Sequence, residues 1–115
     1  MNADNTPQFN HPDLAKLKPY LLVLLRKGEK YLEPETNNII RNEHLPYVFK
    51  LKEQGLMSMT MPLREPESEF AALGILNTTD KAVANNIMLN DPAVQKKVFV
   101  FEILNSVGIQ GDSLL

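Results

Sequence analysis

Two histidines and a set of carboxylates are the residues of this sequence able to move a proton near neutral pH. His44 stands out among them. It lies on the stripe Ile40, His44, Tyr47, Val48, Leu51, whose spacing is helical and whose other members are apolar or aromatic. A polar ring on such a stripe is either a core histidine hydrogen-bonded to backbone or a base at the edge of a pocket. Asp91 ends a helical segment and precedes Pro92, which pushes it towards extended backbone. It is either a plain helix stop or a carboxylate that fixes a histidine's tautomer and stabilises the imidazolium. Such a pair requires the two side chains within hydrogen-bond reach and one imidazole nitrogen facing an open cavity. Glu102 sits in an otherwise apolar strand and needs solvent or a partner. An interfacial salt bridge to a lysine or arginine is favoured over catalysis there.

Other chemistries find little support. Gly111-Asp112-Ser113-Leu114 matches the four-letter signature of the GDSL hydrolases, but only Leu114 and Leu115 follow Ser113. No His or Asp stands downstream to complete a triad, so the motif reads as a polar tail. The phosphate loop, the dinucleotide glycine fingerprint and the two-histidine zinc helix are absent. His11 falls in a loose N-terminal stretch and His44 in a helix, so no metal site and no cofactor is expected. With no cysteine among 115 residues, disulfides and thiolate sites are excluded. Twelve basic and 14 acidic residues give a net charge of −2, which argues against a dedicated nucleic-acid or anionic-membrane binder. An RNA-recognition sheet would also need several aromatics on its third strand, where Phe70 stands alone.

These candidates need elements to hold them. Residues 1–17 read as an N-terminal arm, with a short helical turn over Pro12–Lys16 and Pro12 placed at its first turn. From residue 18 onwards the chain reads as one domain. Pro19 to Arg26 is an apolar run ending at Lys27-Gly28, and reads as a first, buried strand. The helix bearing His44 follows, with Gly55 as its cap and with Pro46 forcing a kink or a start near His44. Leu56 to Met61 alternates as a second strand, with Met57, Met59 and Met61 on one face. A solvated loop leads to a third strand, Phe70 to Leu76. Asn77-Thr78-Thr79-Asp80 then starts a helix over Lys81–Leu89, with Val83 and Ile87 inward. Lys97 to Leu104 is the fourth strand, and a tail begins at about residue 105.

The order strand-helix-strand-strand-helix-strand is the ferredoxin-like βαββαβ arrangement of the α+β class. Two helices cover one face of a four-stranded antiparallel sheet. The strands alternate poorly between apolar and polar, so the second face also asks for cover. A second copy of the same sheet is the simplest cover, which predicts a homodimer joined through its sheet faces. The N-terminus carries no basic start and no apolar run, and a cytoplasmic location is expected.

From Tyr20 to about Glu102 the chain resembles the YciI-like (YCII-related) family. The resemblance rests on Leu21-Leu22-Val23-Leu24-Leu25-Arg26-Lys27-Gly28, on His44-Leu45-Pro46-Tyr47-Val48, on Lys52-Glu53-Gln54-Gly55-Leu56 and on Asn90-Asp91-Pro92-Ala93-Val94. It implies a dimeric α+β barrel assembly and a His–Asp pair formed by His44 and Asp91. It further implies kinship in fold with small lyases and isomerases acting on aromatic-degradation intermediates. Where the family has Gly-Pro after its second strand this chain has Met61-Pro62, and a side chain there is expected to narrow a pocket beside His44. Two functions remain in view. One is a small lyase- or isomerase-like enzyme using His44 and Asp91. The other is a non-catalytic dimer of the same fold that binds a small ligand or a partner.

Overall fold

A computed structural model describes residues 12–115. Residues 1–11, which hold His11 and most of the expected arm, lie outside the described residues. After a 3₁₀ turn over Pro12–Lys16 come β1 (Leu17–Lys27) and a continuous helix in three parts. These are α1 (Thr36–Ile39), a π-helical turn (Ile40–His44) and α2 (Leu45–Glu53). β2 (Met57–Pro62), β3 (Phe70–Leu76), α3 (Lys81–Leu89), a short α4 (Pro92–Gln95) and β4 (Phe99–Ile109) complete the chain. The four strands form one sheet in the order β2-β3-β1-β4, with all three pairings antiparallel. This is the ferredoxin-like α+β fold the element order predicts.

Local chemistry explains most boundaries. Gly55 takes φ +73°, donates its N–H to the Lys52 carbonyl, and is followed by Leu56 donating to Leu51. That double bond is a Schellman stop for α2. Asp80 caps α3 by accepting from Ala82 and Val83 N–H at 2.9 and 3.3 Å. The core lies between helices and sheet, built from Leu21, Val23 and Leu25 of β1, Val48 and Leu51 of α2, and Ala84, Ile87 and Met88 of α3. Val83, expected inward, is 44% exposed, because the buried stripe of α3 runs through Ala84, Ile87 and Met88.

Two expectations are corrected by pairing that no local pattern shows. β4 does not end at Leu104; it continues to Ile109, because Asn105–Ile109 pair with Leu17–Leu21 in an unbroken ladder. The tail therefore begins later than residue 105. Of the kink or the start near His44 expected at Pro46, the second is found: α2 begins at Leu45, directly after His44, with Pro46 in its first turn. Proline has no N–H for the carbonyl four residues back and its ring crowds that carbonyl. The wider π turn just ahead, with Leu45 N–H bonded to the Ile40 carbonyl, carries the helix through. The methionines of β2 do not share a face. A register shift between Met57 and Met59 puts Met57 opposite Leu76 on the helix side, and Met59 and Met61 opposite Ile75 and Leu73 on the other.

That other face of the sheet is also largely apolar. Leu22 and Leu24 of β1, Met59 and Met61 of β2, and Leu73 and Ile75 of β3 are all half-buried on it. On β4 it carries Val100 at 49% and Leu104 at 42% exposure. Among the described residues no helix covers this apolar surface.

Candidate functional site

His44 closes the π turn, and this position aims its ring away from the helix axis towards the N-terminus of α4. Asp91 is the N-cap of α4, with extended backbone ahead of Pro92 as the Asp-Pro sequence predicts. Its Oδ1 accepts from the Ala93 N–H at 2.9 Å, and its Oδ2 lies 2.6 Å from His44 Nδ1. Both side chains are buried, at 9% exposure for His44 and 1% for Asp91. Each carboxylate oxygen thus has one partner, and the carboxylate cannot rotate without losing a helix cap.

The charge-assisted bond sets the tautomer. An ionised carboxylate only accepts, so Nδ1 carries the hydrogen and Nε2 is left with a free lone pair. Nε2 has no hydrogen-bond partner among the described residues and is not sealed from solvent. Phe99 packs edge-on against the imidazole, with ring centroids 5.1 Å apart and planes at 64°. Tyr31 in turn packs on Phe99 at 6.1 Å. Tyr47, one helical turn from His44, donates its hydroxyl to the Ile87 carbonyl at 2.8 Å. Burial, and then the negative charge of Asp91, push the Tyr47 phenol above its ordinary value of 10.0. Beside His44, Glu43 receives both bonds of Lys96 at 2.6 and 2.8 Å, tying the π turn to the end of α4.

The arrangement can orient a base. A cavity of about 520 Å³ opens along α1 and α4, lined by Thr36, Ile39, Gln95, Lys96 and Val98 among others. It shares Lys96 with the Glu43 pair and abuts Phe99 through Val98, but His44 and Asp91 do not line it. A second cavity, about 340 Å³, lies on the open sheet face against Tyr20, Leu22, Met59 and Ile75. Met61 belongs to that open face and does not narrow any space beside His44. Phe99, Tyr47 and the Glu43–Lys96 pair were not singled out from the sequence, although the spacing of Tyr47 from His44 placed it on the same helical face.

The remaining candidates fall apart from the pair. Glu102 lies on the open face and is ion-paired to Arg26 of the same chain, not to the dyad. Ser113 is exposed beyond the end of β4. Among the described residues no group of three or more His, Cys, Asp or Glu could hold a metal ion. Among them, too, no helix is long and apolar enough to cross a membrane.

No family model matches the chain, and no curated protein does. Among solved structures it is similar to 5-chloro-2-hydroxyhydroquinone dehydrochlorinase from Burkholderia phenoliruptrix AC1100, in complex with 2,5-dihydroxybenzoquinone. The two share 17% identity with a TM-score of 0.51, over 75% of this chain and 90% of the other. At that identity the likeness defines a common fold. The class is therefore a ferredoxin-like α+β protein carrying a buried histidine–aspartate pair.

Proposed function

We propose that this chain is a small lyase- or isomerase-like enzyme in which His44 Nε2 is the general base and Asp91 its orienting partner. The observation that carries the reading is the 2.6 Å contact between His44 Nδ1 and an Asp91 carboxylate locked in place as the α4 cap. A base of this kind contributes about 10²–10⁴ in rate. That suits removal of a proton from an already acidified carbon, and falls short of peptide or phosphate hydrolysis. The dehydrochlorinase of the same fold acts, by its name, on a chlorinated hydroxyhydroquinone. Its substrate type makes hydroxylated aromatics and their quinones the first compounds to try. The resemblance to the YciI-like family, a homodimer joined through the open sheet faces and a cytoplasmic location belong to the same reading. The test is a panel of hydroxyhydroquinones, chlorinated and not, followed optically with the wild type and with His44→Gln. Turnover that falls at least 100-fold in the folded variant supports the reading. Equal turnover in both removes His44 as the base.

One observation favours a second reading, a non-catalytic ligand-binding dimer. His44 and Asp91 line neither of the two cavities described above, whereas the 340 Å³ cavity on the open face is mostly apolar in its floor. Under this reading the pair is a structural tie between the long helix and α4. Protein-observed NMR separates the two, since a bound hydroxyquinone that shifts the His44 ring resonances places ligand at the pair and not on the sheet.

A further inference from the structure

Arg26 and Glu102 occupy an unusual place on the open sheet face. Down β1 this face carries Lys18, Tyr20, Leu22, Leu24 and Arg26, and down β4 Val100, Glu102, Leu104 and Ser106. β2 and β3 add Met59, Met61, Leu73 and Ile75. Lys18 lies at the far end, over the Tyr20 ring, so Arg26 and Glu102 are the charged members of the apolar stretch beyond Tyr20, diagonal neighbours across the β1–β4 ladder and joined by an ion pair through Nη2. Both remain accessible, at 39% and 40% exposure of their side chains. Arg26 also stacks over Phe70 at 5.2 Å and reaches Glu69 at 3.6 Å, yet its Nε is buried with no hydrogen-bond partner. A two-fold interface uses the same patch twice, so a charge in it must meet its opposite on that same patch. A patch carrying one basic and one acidic group side by side satisfies that condition, where a single charge would not.

We propose that Arg26 and Glu102 form the register lock of a homodimer, each reaching its opposite on the partner subunit as the apolar faces close. This rests on the sheet-face dimer put forward above. Covering an ion pair with apolar surface strips away its water, and two pairs brought together offset that loss by sharing their bonds. A slipped register leaves each pair buried against leucine, which is costly and excludes it.

The test uses two variants of the full chain, each checked for folding by circular dichroism. Arg26→Glu puts two acidic groups side by side at this place in the patch, and Glu102→Arg puts two basic ones there. Each alone should be monomeric in light scattering at concentrations where the wild type is dimeric, with dimer affinity at least 10-fold weaker. Mixed in equal amounts, they should form a heterodimer at near wild-type affinity. A mixture that stays monomeric overturns the proposal, because the pair then acts only within one chain. Single variants that dimerise like the wild type overturn it too. A wild type that is monomeric refutes the dimer reading itself, a separate failure. Should the charge reversals not fold, Arg26→Gln and Glu102→Gln give the milder version. Each should weaken dimerisation, and retained wild-type affinity in both overturns the lock.

Discussion

His44 and Asp91 form a pair whose two halves are not equivalent under substitution. Removing the imidazole with His44→Leu leaves a buried carboxylate facing an apolar group, and breaking a buried pair in this way costs about 3–5 kcal/mol. Asp91→Asn is gentler, because the new amide oxygen still caps the Ala93 N–H. Its NH₂ then donates to Nδ1 and moves the ring hydrogen to Nε2. The expected outcome is a loss of about 1–2 kcal/mol in urea unfolding and an inverted tautomer in ¹⁵N imidazole spectra. An unchanged tautomer would show that the carboxylate does not set it. Tyr47 gives a pH signature. Its phenol is raised in the fold, so above pH 10 the unfolded chain has released that proton while the folded chain still holds it. Stability therefore falls as pH climbs past 10, and Tyr47→Phe flattens this part of the curve in unfolding titrations.

Among the elements, the turn after β1 packs tightly at Gly28 on the link from α4 to β4. A Cβ there would lie 2.4 Å from the Lys97 carbonyl oxygen, and the Gly28 N–H bonds the Val98 carbonyl at 2.7 Å. Lys97 itself takes φ 63°, the left-handed region that bends the chain from α4 into β4. Gly28→Ala must push these two backbones apart, which overpacking data place at about 1–3 kcal/mol. Thermal unfolding checks this, and because Val98 and Phe99 follow directly, the variant should also loosen the His44–Phe99 contact seen as ring-current shifts. The π turn has a positioning role of its own. It admits Pro46 and closes on His44, so a local irregularity in the helix sits where the site is built.

For the assembled protein, the open sheet face decides the behaviour. An apolar surface that includes Val100 and Leu104 at nearly half exposure is where association is expected. A dimer burying more than about 1,200 Å² in total is expected. Light scattering at micromolar concentration should give twice 13.0 kDa, and a mass of 13.0 kDa would contradict it. Leu104→Glu should shift that equilibrium to monomer while leaving the helix-side core intact. Metal should be irrelevant to stability, so a chelator should leave the melting temperature unchanged; a large drop would reveal a site.

Much of this protein is legible in its residues alone. Periodicity, the Asp80 cap, the Gly55 stop and the Asp-Pro break are local signals, each carried by neighbours within one or two turns, and together they determine the order of the strands and long helices, while the short α4 that Asp91 caps was not read from them. The apolar character of both sheet faces is equally plain, since strands with one wet face alternate and these do not. His44 and Asp91 were visible as candidates, but their 2.6 Å contact joins residues 47 apart and exists only once the long helix and α4 pack on the same sheet face. Tertiary pairing alone decided the rest. A bulge in β2 turned Met59 and Met61 away from His44, the β1 ladder drew Asn105–Ile109 into β4, and strand register set Arg26 beside Glu102. Register and bulges follow from which distant residues meet, and a one-residue shift sends a side chain to the opposite face of the sheet.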